Sequence, residues 1–143
     1  MRFEAGANVV WACWLGRIAL AAAFFSAVAD RVGLWGAPGQ VGVVWGDFSS
    51  FVAFVDTLAP WTPASMLWAL ALLVTVAEVV LGALLLLGWR LKEVALASGY
   101  LLAVFAVSMV AFTGLKSALD YSVPSACAAA FLLAAVANRD ASH

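Results

Sequence analysis

The sequence predicts an all-α integral membrane protein, a four-helix bundle with a short interfacial helix in its first, outer loop. Three observations predict it. Residues 65–89, SMLWALALLVTVAEVVLGALLLLGW, are apolar for ~25 residues, enough to cross a bilayer at ~1.5 Å rise per residue. The chain is 66% hydrophobic and 10% charged, with a mean hydropathy of +1.07, whereas a soluble domain carries roughly 45–50% apolar and 25% charged residues. Further apolar runs recur at 9–29, 94–112 and 122–137 with short polar connectors between them. All 143 residues read as one membrane domain.

Residues 9–29 form the first expected span, ~21 residues long. A signal peptide is the competing reading, but the run exceeds an h-region of about 7–15 residues and Arg17 interrupts it. Trp11 and Trp14 suit an interfacial aromatic belt. Ala12, Gly16, Ala19, Ala23 and Ala27 recur at three or four, a seam of small residues that admits a close neighbour. The connection 30–62 opens with glycines and Pro38, which mark turns. Within it DFSSFVAFVDTLAP reads as a short helix capped by Asp47 or Ser49, with Phe48, Phe51, Val52, Val55 and Leu58 on one face. It is too short to span and is expected at the membrane surface, apolar face down. Span two, 65–89, runs into the short basic turn RLKE, then span three follows at 94–112. GLKSALD links it to span four, 122–137, where Pro124 sits in the first turn.

Lysine and arginine placement sets the orientation. With both termini cytoplasmic, Arg2, Arg90, Lys92 and Arg139 lie inside, against Arg31 and Lys116 outside.

The charges inside the apolar runs are the candidate site. A carboxylate in hydrocarbon costs on the order of 3 kcal/mol or more, so Glu78 needs a partner. If each span is centred in the bilayer, Arg17 and Glu78 share a depth on consecutive antiparallel helices, and an Arg17–Glu78 ion pair is expected. Ala71, Thr75 and Gly82 share the face of Glu78, so that face should point into the bundle. Such a pair is either a device that sets helix register or a binding or proton-handling site. A second polar cluster, Asp30, Arg31, Lys116, Asp120 and Tyr121, is expected near the outer interface, as anchoring and capping or as a small-molecule or partner site.

The remaining inventory excludes much chemistry. Cys13 and Cys127 differ in depth by ~13 Å at helical rise, beyond the ~7 Å Cα separation of a disulfide, and read as apolar packing. The one histidine, His143, is the last residue, so bis-His haem ligation and a Ser–His–acid set are both ruled out. No metal-ligand cluster, P-loop or G-x-G-x-x-G occurs. A net charge of −1 gives no reason to expect nucleic acid.

Three segments together resemble the DoxX family: LGRIALAAAFFSAVADRVGLWG, AEVVLGALLLLGWRLKEVALASG and GLKSALDYSVPSACAAAFLLA. They match, in order, an arginine-bearing first helix, a Glu-x-x-x-Gly helix ending before a basic turn, and a K-x-x-L-D/N-Y-S-V segment. The resemblance maps the family arginine to Arg17, its glutamate to Glu78, and its outer polar segment to Lys116, Asp120 and Tyr121. It implies a four-helix bundle in the prokaryotic plasma membrane. It also implies an accessory or subunit role in membrane redox physiology, quinone-linked and beside a redox partner enzyme. Disulfide handling, associated with a related methylamine-utilisation protein, does not suit a chain without paired cysteines. Two other readings stay open: a small-molecule binding or transport module, and a structural, assembly or self-associating factor of the bilayer.

Overall fold

A computed structural model describes the backbone of residues 2–140 and the side chains of residues 8–137; His143 lies outside the described residues. Six helices and no strand occur among them: α1 Arg2–Arg31, α2 Phe48–Leu58, α3 Ala64–Leu87, α4 Leu91–Phe112, α5 Leu115–Asp120 and α6 Val123–Asp140. Three stretches are long and apolar enough to cross a membrane, Asn8–Arg31, Ala64–Leu87 and Leu91–Phe112. The apolar part of α6, Val123–Ala137, is shorter.

The four longest helices contact one another in a closed cycle: α1 on α3, α3 on α4, α4 on α6, and α6 back on α1. Their shared core joins Leu20, Ala21 and Phe24 of α1, Leu85 of α3, Val94 and Ala95 of α4, and Ala130, Leu133 and Ala134 of α6. The small-residue seam expected on α1 is not the buried face: Ala12, Ala19 and Ala23 are exposed, and the core is made by the neighbouring stripe Leu20, Ala21 and Phe24. Leu20 and Phe24 supply most of the apolar area that this stripe removes from its surroundings, with Ala21 between them. Cys13 packs at the edge of this core. Cys127 donates its Sγ–H to the Gly99 carbonyl at 3.4 Å, and the two cysteines are not joined by a disulfide.

α2 begins where Asp47 caps it, its carboxylate accepting from the Ser50 amide at 2.7 Å. Of the two capping candidates, Asp47 serves. The expected apolar face forms, with Phe51, Val52, Val55 and Leu58 buried. It is buried within the protein, against Leu67 and Ala71 of α3, with Leu58 meeting Met109 of α4 and Ala118 of α5. The reason is geometric. α1 stops at Arg31, so the first two turns of α3 have no α1 beside them, and α2 covers their apolar side chains instead.

Candidate functional site

α1 ends in a hydrogen-bonded turn that the sequence specifies. Gly33, at φ +76, donates to the Asp30 carbonyl at 3.1 Å, and Leu34 donates to the Ala29 carbonyl at 2.9 Å. This is the Schellman pattern, which needs a left-handed residue and so favours glycine. It leaves Asp30 and Arg31 as the last side chains of the helix, both turned inward and buried.

Arg31, not Arg17, is the partner of Glu78. Its Nη1 and Nη2 grip the carboxylate as a fork, Nη1 on Oε2 and Nη2 on Oε1 at 3.1 Å. Nη1 also donates to the Thr75 hydroxyl at 3.0 Å, and that hydroxyl donates to the Ala71 carbonyl at 2.8 Å. The guanidinium lies on the face of Phe51, 3.7 Å from the ring centre, with Trp45 at 5.1 Å. A planar, delocalised cation suits both the fork and the stacking. Arg31 is 1% and Glu78 4% exposed, so the ions are held by each other and not by solvent.

The expected Arg17–Glu78 pair is therefore corrected. Arg17 instead hydrogen-bonds the end of α3, Nε to the Leu85 carbonyl at 2.8 Å and Nη2 to the Leu86 carbonyl at 2.7 Å, with Trp14 stacked at 3.9 Å. A cation there complements the negative helix terminus. The antiparallel register thus sets position 17 against 85–86, and position 31 against 75 and 78. Equal centring of the spans would have set 17 against 78; the difference of seven residues is ~10 Å along the axis.

The face predicted around Glu78 does form: Ala71, Thr75 and Gly82 are buried with it. Gly82 lets α1 approach, since a Cβ there would stand 3.0 Å from the Phe25 ring. The outer polar cluster divides. Asp30 accepts from the amides of Val44 (3.1 Å) and Trp45 (2.8 Å), which brings the loop back over the end of α1 and sets Trp45 beside Arg31. Lys116 and Asp120 pair with each other one turn apart on the exposed face of α5. Tyr121 joins Arg31 and Glu78 in the wall of a cavity.

That cavity holds about 180 Å³. Five of the six helices contribute to it: Phe24 from α1, Phe54 from α2, Glu78 from α3, Phe105 and Met109 from α4, and Ala126 from α6. Its walls are overwhelmingly apolar, with Arg31 and Glu78 as the ionic patch. Trp45, Phe51 and Phe54 were not singled out as site residues from sequence. Phe51 and Phe54 belong to the apolar run of α2, which equally fits a helix lying on lipid, and Trp45 precedes that helix in the loop. A second, predominantly apolar cavity of about 230 Å³ lies between α2, α3 and α4, with Ser108 as the one hydroxyl in its lining.

Among the described residues no group of three metal-binding side chains converges. The arrangement sets a buried ion pair beside an apolar space. No protein family, curated protein or solved structure matches this chain.

Proposed function

We propose that this chain is a small-molecule-binding bundle of the DoxX type in the prokaryotic plasma membrane, with both termini cytoplasmic. In this reading α6 completes a four-helix membrane bundle. The bundle holds a small hydrophobic molecule against Arg31 and Glu78, as an accessory component of membrane redox physiology beside a partner enzyme. The observation that carries the binding reading is the cavity itself. An apolar space of about 180 Å³ abuts the one buried ion pair among the described residues. Intramembrane ionisable groups commonly mark binding or transport sites, and apolar cavities with a few converging polar groups are the usual form of a ligand site. The redox assignment rests on the family resemblance, which also names quinone as the molecule to test first.

The orientation follows from charge. Arg2, Arg90, Lys92 and Arg139 on the cytoplasmic side outnumber Arg31 and Lys116 on the outer side, which supports this orientation.

The test is native mass spectrometry of the chain extracted in mild detergent, with and without Ala126→Phe, which fills the cavity. The native chain should carry a small hydrophobic adduct that the variant lacks. A folded native chain without such an adduct, and without affinity for added hydrophobic probes, would remove the binding reading. An oxidoreductase recovered in stoichiometric yield from the same extract would support the accessory role. Gln40→Cys should label from the outer side of intact cells; labelling only after permeabilisation would invert the topology.

A second reading, in which the pair only sets register, is favoured by one observation: Arg31 and Glu78 join α1 to α3 and stand in for apolar contacts there. The adduct measurement separates it from the first.

A further inference from the structure

α1 ends well inside the length of its neighbours. Arg17 hydrogen-bonds the Leu85 and Leu86 carbonyls at one end of α3, and Arg31, the last residue of α1, meets Thr75 and Glu78. From Thr75, α3 continues to Ala64, ~16 Å further at helical rise. α4 keeps pace with it: Trp61, just before α3, has its ring centre 5.6 Å from that of Phe112, the last residue of α4. Exposed tryptophans mark both ends of this helix pair. Trp14 lies on Arg17 and Trp89 follows Gly88 at one end, and Trp61 and Trp68 stand at the other. Such belts belong at the two interfaces of a bilayer. The 24 residues of α3 measure ~36 Å, enough for a hydrocarbon layer of ~30 Å. From Arg17 to Arg31, α1 covers only ~21 Å of the same depth.

The stretch that follows α1 has an unusual surface for a loop. Residues 32–46, VGLWGAPGQVGVVWG, include no charged residue. Gln40 turns inward, its Oε1 accepting from the Ala37 amide at 3.3 Å. Amides along the loop are returned to the protein: Gly36 donates to the Gly33 carbonyl, Gln40 to that of Ala37, Val43 to that of Gln40, and Val44 and Trp45 to the Asp30 carboxylate. Irregular backbone is tolerated at membrane depth only where its polar groups are met inside the protein. The outward side chains are apolar: Val32, Leu34 and Trp35 are more than half exposed, and Val41 is fully so. Trp35 fixes where this surface lies. Its Nε1 donates to the carbonyl and the hydroxyl of Ser26, at 3.1 and 3.2 Å, so the indole is laid back along α1. Ser26 continues the exposed stripe of Leu15, Ala19 and Ala22 on the candidate span Asn8–Arg31.

We propose that residues 32–44 sit within the outer leaflet, with Val32, Leu34, Trp35 and Val41 among the acyl chains, and that they complete a crossing for which α1 is too short. This rests on α3 and α4 crossing the bilayer in the orientation given above. The occupant of the surface is lipid hydrocarbon. The surface is continuous with a helix stripe that faces lipid, and it lacks the polar rim of a protein interface. Position 40 stays reachable from the outer side alone.

The test uses the full chain with Cys13→Ala and Cys127→Ala, reconstituted in phosphatidylcholine vesicles, with a nitroxide on Val41→Cys. Leu72→Cys, on the exposed face of α3, and Asp56→Cys, on the exposed face of α2, serve as references for hydrocarbon and for water. Val41 is fully exposed, so its replacement removes no packing. Collision of the nitroxide with oxygen, which concentrates in hydrocarbon, should exceed collision with a water-soluble nickel chelate several-fold at 41, as at 72, with the order reversed at 56. Nickel excess at 41 beside oxygen excess at 72 puts the loop in water and overturns the proposal. Low collision with both reagents at 41 puts the segment against a partner protein or a second copy, and overturns it as well. Nickel excess at 72 overturns the crossing of α3 itself, and the proposal with it.

Discussion

Arg17 donates from Nε to the carbonyl oxygen of Leu85 at 2.8 Å, and that contact marks the register that gives Glu78 to a different arginine. With 17 held at the end of α3, the helix runs on for fourteen residues and delivers Arg31 beside Thr75 and Glu78. Arg17 and Arg31 of α1 then serve different levels of α3: one satisfies terminal carbonyls, the other a buried carboxylate in the helix interior.

The coupling between charges should follow this assignment. Glu78→Gln and Arg31→Met each leave a buried partner uncompensated, which typically costs about 3–5 kcal/mol, and the double variant should recover most of that. Arg17→Met combined with Glu78→Gln should be additive within about 0.5 kcal/mol. Melting temperatures in detergent check both cycles. Coupling of position 78 to position 17 in place of 31 would reverse the pairing.

Gly88 should be intolerant of a side chain for two separable reasons. Its φ of +71 disfavours any Cβ, and a Cβ built there would stand 2.6 Å from Nη2 of Arg17. The conformational part is worth about 1–2 kcal/mol. Gly88→Ala should therefore destabilise the native chain more than it destabilises the Arg17→Met variant. Equal effects in the two backgrounds would show that Arg17 does not lie against this turn.

Asp30 should hold the loop more than it holds charge. Asp30→Ala leaves the Val44 and Trp45 amides, both in part-buried bonds, without their acceptor, at about 1 kcal/mol for each bond. Asp30→Asn keeps one carbonyl oxygen and should cost less. Limited proteolysis across residues 39–42 should be fastest for the alanine variant, and an unchanged rate would argue against the tether.

The cap on α2 predicts a pH response outside the membrane-spanning segments. The Ser50 amide, with help from its side chain, holds the Asp47 carboxyl below the ordinary aspartate value. A depressed folded-state value means that the cap's contribution is present above the unfolded-state value and is lost as pH falls through the folded one. A carbon-detected titration should place the Asp47 midpoint below the ordinary aspartate value, and Asp47→Asn should abolish that transition. A midpoint at the ordinary value would mean the cap is not formed in solution.

Much of the fold was legible because it depends on quantities local to the chain. Length and apolarity define the long helices, the spacing of Phe51, Val52, Val55 and Leu58 defines α2 and its apolar face though not that this face turns onto α3, and the glycines at 33 and 88 mark where α1 and α3 end. The inward face of α3 was legible too, since Ala71, Thr75, Glu78 and Gly82 share one side of any α-helix. Less was legible of the site. Glu78, Arg31, Asp30 and Tyr121 were all named, but in two separate groups, and Arg17 was given the place that Arg31 holds.

The sequence by itself determined that Glu78 is buried in an apolar helix and must be matched, because the cost of an isolated charge in such surroundings depends only on the residue and its neighbours. It did not determine which arginine answers. That choice is a sliding coordinate between two helices, and the apolar surfaces of α1 and α3 alone tolerate several registers. Tertiary structure decided it through contacts distant in sequence: the carbonyls of Leu85 and Leu86 anchor Arg17, α2 occupies the start of α3 that α1 would otherwise cover, and Asp30 folds Trp45 over the last turn of α1. Together these leave Arg31 beside Glu78, with its Nε unpartnered and the residue in the wall of the cavity.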